Sequence, residues 1–132
     1  LNENTQIMKI NLNKVRNQPE YVFSDGTYYL MDEYDNIVTG MQEIWMMIDI
    51  REHIVFRHGS HESVKKRYDE TQEKLRGSAK TELDPETKAV SLQMCDDLIM
   101  LNVTKLPLEE INHILASSGY IKFVLEKYQI TP

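Results

Sequence analysis

One cysteine, Cys95, stands among 132 residues. No intramolecular disulfide can form, and a reducing compartment is the expected setting. A lone cysteine in an apolar helical stretch reads as a small core residue rather than a nucleophile. No apolar run approaches the roughly 20 residues that a helix needs to cross a bilayer. The longest are cut by Asp49 and Arg51, or by Asp96 and Asp97. The opening Leu1-Asn-Glu-Asn-Thr5 has no basic region followed by an apolar run. No signal peptide and no membrane partner are therefore expected, and the expected location is the cytoplasm. Gly-x-x-x-x-Gly-Lys, Gly-x-Gly-x-x-Gly, Gly-x-Ser-x-Gly and Cys-x-x-Cys are missing as well. Nucleotide-binding loops, nucleophile elbows and thiol redox motifs lose support accordingly. The expectation is a non-catalytic chain without a cofactor, although a site assembled in space from distant residues needs no such motif.

What is present fits one folded domain. Hydrophobic residues make up 41% and charged residues 27%, a balance that favours a packed core over disorder. A chain of this length can bury that core without disulfides or a structural metal. The net charge of −6 is uneven. Residues 57–80 hold seven basic and four acidic side chains, a local +3 that leaves −9 for the rest. Such a stretch suits an acidic partner or nucleic acid, and the overall acidity disfavours the nucleic acid.

Five of the eleven aromatic residues lie between Tyr21 and Tyr34. Residues 21–23, 27–31 and 37–39 read as strands, separated by turn signals at Ser24-Asp25-Gly26 and Asp35-Asn36. A three-stranded antiparallel meander is the simplest arrangement. Met8, Ile10 and Leu12 alternate with polar residues and suggest an earlier short strand. Tyr28 and Tyr29 are adjacent, so a strand turns them to opposite faces, one inward and one free. Tyr28, Tyr29 and Tyr34 are the first candidate contact surface, because Tyr is a favoured interface anchor. The segment Gly26-Thr-Tyr-Tyr-Leu-Met-Asp-Glu-Tyr-Asp-Asn-Ile-Val-Thr-Gly40 resembles one repeat of the choline- and glucan-binding cell-wall modules. That resemblance implies aromatic faces that hold a quaternary ammonium or a sugar. Here there is one copy, and it lacks the family's tryptophan.

From Met41 onward the pattern reads as helix. A long apolar helix over residues 41–58 is expected at the centre of the fold, stopped by Gly59. Two strands, Ile44–Ile50 and His53–Phe56, are the competing reading. Ser60 suits the cap of a helix over residues 61–76, with Lys66–Glu70 and Glu70–Lys74 pairs at helical spacing. Residues 77–83 read as a linker. Asp84-Pro85-Glu86 starts a helix expected to run to about Val103. Pro107 opens another, ended by Ser117-Ser118-Gly119. A last helix over residues 120–128 is expected to turn Tyr120, Phe123, Val124 and Tyr128 inward. The fold class is thus α+β: an N-terminal antiparallel β-meander (residues 1–40) packed on a four- to five-helix bundle (residues 41–132).

Three further constellations could carry function. Asp49, His53, His58 and His61 offer imidazoles and a carboxylate that could hold a divalent metal and support a hydrolase. Capping and solvation at a helix end is their plainer role. Arg57, Lys65, Lys66 and Arg67 surround a predicted helix N-terminus, where free N–H groups attract anions. Leu106–Tyr128 joins two short helices through a glycine turn. As a DNA-binding helix-turn-helix its second helix offers only Lys122 and Lys127, with no arginine for base edges. The same segment resembles a family of short, mostly helical bacterial proteins encoded beside ADP-ribosyltransferase-like toxins. The resemblance rests on Glu110, Ile111, Leu115, Gly119, Tyr120, Phe123, Leu125 and Tyr128, and it implies an antitoxin or adaptor role. Together these features predict a small bacterial or phage protein–protein interaction module: an adaptor, inhibitor or antitoxin. A nucleic-acid-binding regulator using residues 57–80 and a metal-dependent hydrolase using the histidines are the alternatives.

Overall fold

The computed structural model describes residues 18–131, and the strand expected near Met8–Leu12 lies outside them. Strands β1 (Glu20–Ser24), β2 (Thr27–Met31) and β3 (Ile37–Met41) form an antiparallel meander in the order β1-β2-β3. Asp25 (φ 52°) and Gly26 (φ 78°) both adopt positive φ between β1 and β2. That is the chemistry of a two-residue hairpin turn whose twist matches its strands. In the next turn Asp32 Oδ1 accepts from the amides of Tyr34 and Asn36 at 2.8 and 2.9 Å. Tyr29 pairs with Gly40, and a Cβ on Gly40 would stand 3.2 Å from the Tyr29 ring. The missing side chain lets that ring lie over the neighbouring strand.

The expected central helix is instead a hairpin. β4 (Trp45–Asp49) and β5 (Ile54–Gly59) pair antiparallel, and β6 (Leu98–Asn102) joins the other side of β4 in the order β5-β4-β6. The apolar run Met46-Met47-Ile48 misleads because β4 is buried on both faces, so it shows no alternation. Met46 and Ile48 face one core cluster, and Met47 faces another. The turn hides too, since it contains neither Gly nor Pro. Asp49 Oδ1 accepts from the amides of Arg51 and Glu52 at 2.8 and 2.9 Å, and His53 takes φ 56°. Gly59 ends β5 at φ 143°, buried beside α1.

α1 runs His61–Thr81, so the expected linker at 77–83 is largely helix. Ser60 caps it, its side chain accepting from the Ser63 amide at 3.2 Å. Asp84 caps α2 (Pro85–Asp97) with Pro85 in the first turn, as that dipeptide predicts. α2 stops at Asp97, short of Val103, because Leu98–Asn102 pairs with β4 as β6. α3 (Leu108–Ala116) and α4 (Tyr120–Lys127) follow. α4 buries Ile121, Val124 and Leu125, while Phe123 is half exposed, contrary to its expected inward position. No described helix is long and apolar enough to cross a membrane.

The main core lies between the meander, β4 and the α3–α4 pair. Tyr21, Ile44, Met46, Ile48, Val103, Ile111, Ile121 and Val124 are its fully buried members. A second cluster of Met47, Val64 and Leu98 lies on the opposite face of β4, beneath α1, with Trp45, Tyr68 and Leu75 around it. The architecture is α+β, with the β-meander at its N-terminal side.

Candidate functional site

Among the described residues, β3 and β5 each leave one edge without a strand partner, and residues of both line one cleft. β3 borders the meander and β5 borders the second sheet. Each carries an extra residue. Leu30 pairs with Thr39 and Met31 with Ile37, which leaves Val38 unpaired. Met47 pairs with Arg57 and Ile48 with Val55, which leaves Phe56 unpaired. Both are β-bulges, which re-aim side chains and spoil an edge for further pairing. Val38 is 59% and Phe56 50% exposed, and both line a cleft of about 560 Å³ together with Leu30 and Pro19. The Phe56 bulge also shifts the facing of its strand. Val55 and His58 turn toward the main core, while Arg57 lies opposite Met47 on the α1 side.

The cleft continues toward α1. Arg57, Ser60 and Ser63 line it and also line a second recess of about 420 Å³, whose other walls include Lys66, Arg67, Glu62 and Glu70. Arg57 Nη2 donates to Ser63 Oγ at 3.3 Å, which holds the guanidinium where the two recesses meet. Among the described residues Arg57, Lys66 and Arg67 form no ion pair. The result is one groove with an apolar end and a cationic end. Phe56 and Arg67 also border a smaller recess of about 170 Å³ over Met47, Leu75 and Leu98.

The predicted cationic set divides. Arg57, Lys66 and Arg67 share the groove, whereas Lys65 turns to Asp69 at 2.7 Å. That pair, rather than Lys66–Glu70 or Glu70–Lys74, is the i,i+4 ion pair among the described residues of α1. The tyrosines separate as well. Tyr28 packs on the main core with its ring 4.9 Å from that of Phe23. Tyr29 lies over Gly40, and Tyr34 is 74% exposed in the β2–β3 turn. None of the three lines the groove.

The metal alternative does not assemble. Among the described residues no group of three or more His, Cys, Asp or Glu side chains could hold an ion. Asp49 is committed to its turn. His61 meets the Trp45 ring edge-on at 4.6 Å. His58 bonds through Nδ1 to the Tyr21 hydroxyl at 2.6 Å. Burial pulls His58 down to about 4, and the Arg57 charge adds to this. Burial also raises the Tyr21 phenol, with Arg57 opposing. Both groups are neutral near pH 7. Tyr21 is fully buried, so its hydroxyl serves as a core hydrogen bond between the sheets. His58 borders the groove at that point.

Val38 and Phe56 were absent from the sequence-predicted site. One signal for them existed: Ile54-Val55-Phe56 and Ile37-Val38 place apolar residues consecutively in short strands, and a pleated edge cannot bury them all on one face. Compared with family models, curated proteins and solved structures, the chain matches none.

Proposed function

We propose that this chain is a non-catalytic protein-interaction module, of an adaptor, inhibitor or antitoxin-like kind, which docks another protein in the groove between β3 and β5. The observation that carries the reading is the pair of bulges. Two separate edge strands each spend an unpaired residue on an exposed apolar side chain, and both point into one cleft. Scattered exposed apolar residues need no explanation, but a concentration in a concave site marks a place of contact. The Tyr21 hydroxyl is buried and bonded to the half-buried His58, so it is no accessible nucleophile.

The test is capture from cells that naturally make the protein, using wild type, Phe56→Ser and Leu83→Ser. Leu83 is 94% exposed in the α1–α2 connection and serves as the control. The reading expects a stoichiometric partner with wild type and Leu83→Ser that is lost with Phe56→Ser. Equal recovery with all three, or no stoichiometric partner, contradicts it.

A further inference from the structure

We infer that the groove takes an extended, acidic segment of the partner protein, with an apolar side chain seated at Val38 and Phe56 and carboxylates beyond it at Arg57, Lys66 and Arg67. This deepens the docking reading above and rests on it. The apolar and cationic recesses adjoin, because Arg57, Ser60 and Ser63 line both. A ligand that fills both ends must therefore carry both chemistries within a few residues. The three cations outnumber the two carboxylates in the cationic recess, on a chain of net charge −6. A locally positive groove on an acidic body selects for charge of the opposite sign and repels it elsewhere.

The bulges argue for a side-chain-led fit. An unpaired residue in each edge interrupts the ladder that continuous strand addition would need. Specificity then lies in the apolar anchor and the guanidinium, whose fork matches a carboxylate. Nucleic acid would also bring anions. Its bases need flat stacking surfaces, however, and the apolar end offers one largely exposed aromatic ring, Phe56, while the His58 ring is half-buried and held by Tyr21.

The experiment selects random displayed peptides against the full-length protein and measures a synthetic copy of the enriched sequence. The inference expects enriched peptides that place an apolar residue within a few positions of Asp or Glu. It expects at least about tenfold weaker binding to Phe56→Ser and to Arg57→Glu, the loss typical of an interface hot spot, and wild-type binding to Leu83→Ser. Affinity for wild type should fall as ionic strength rises, a readout that needs no variant. Failure to enrich peptides, enrichment without acidic residues, or salt-independent binding overturns the inference. So does a dimer in sedimentation that Phe56→Ser dissolves, because a second copy then fills the groove. So does a DNA fragment that displaces the peptide. If the natural partner is captured through Phe56 but the selected peptides are not acidic, the docking reading stands and this inference alone falls.

Discussion

The side-chain amide of Asn112 reads both main-chain groups of Tyr21. Its Oδ1 accepts from the Tyr21 N–H at 2.7 Å, and its Nδ2 donates to the Tyr21 carbonyl at 2.9 Å. Among the described strands β1 pairs with β2 alone, so these groups lie along an edge that no described strand covers. One residue of α3 thus imitates a neighbouring strand and closes that edge inside the core, where Asn112 is buried. This contact ties the meander to the C-terminal helices and fixes Tyr21, whose hydroxyl holds His58 at the border of the groove.

Replacing Asn112 with Ala leaves a buried donor and acceptor without partners. Each such group costs about 1–3 kcal/mol, so Asn112→Ala should lose about 2–6 kcal/mol in urea unfolding. Asn112→Asp keeps the acceptor but turns a carboxylate oxygen toward the Tyr21 carbonyl, and should lose at least as much. Unchanged midpoints for both would show that the edge is satisfied otherwise.

His58 should make the fold sensitive to acid. Its folded value, about 4, lies below the ordinary 6.5. Between these values the unfolded chain binds the proton and the folded one does not, so stability falls as pH drops through this window and levels off beneath it. A shift of that size corresponds to about 3 kcal/mol. Carboxylates titrate nearby, so the informative quantity is the difference from His58→Gln. Wild type should lose more stability than the variant between pH 7 and pH 4. Parallel pH profiles would remove His58 as the cause.

Glu110 shifts in the same direction for a different reason, because its charged form is the favoured one. Burial opposes its ionisation, but hydrogen bonds from the Tyr120 hydroxyl at 2.9 Å and Lys127 Nζ at 3.2 Å outweigh it and hold the carboxyl below its usual value. A depressed carboxylate contributes stability above its unfolded pKa and loses it as pH falls through the folded one. Glu110→Gln should therefore cost about 1–2 kcal/mol at neutral pH, as expected for charge-assisted hydrogen bonds with one exposed partner. That cost should shrink in acid, read by thermal unfolding at pH 7 and pH 3. A cost that persists undiminished at pH 3 would assign the effect to packing.

The meander was legible because its turns are written in Asp-Gly and Asp-Asn and its strands in Tyr and Val. The Asp84-Pro85 start of α2 was legible for the same local reason. The β4–β5 hairpin was legible only as the competing reading, two strands over Ile44–Ile50 and His53–Phe56, behind a helix. A strand buried on both faces carries no alternation, and its turn is made by the Asp49 side chain and a left-handed His53 rather than by Gly or Pro. Of the site, Arg57, Lys66 and Arg67 could be read from charge density. Their separation from Lys65 could not, because the choice between Asp69 and Glu70 as ion-pair partner depends on rotamers. For Val38 and Phe56 the consecutive apolar residues were the one trace, and the bulges themselves were hidden because a bulge is a property of pairing between strands.

The most direct measurement places a photo-crosslinking phenylalanine analogue at position 56, and separately at Val90 on the exposed face of α2, in cells that naturally make the protein. The account predicts one discrete, stoichiometric protein adduct from position 56 and none from position 90. Adducts of equal yield and identity from both positions, or none from position 56, would contradict it.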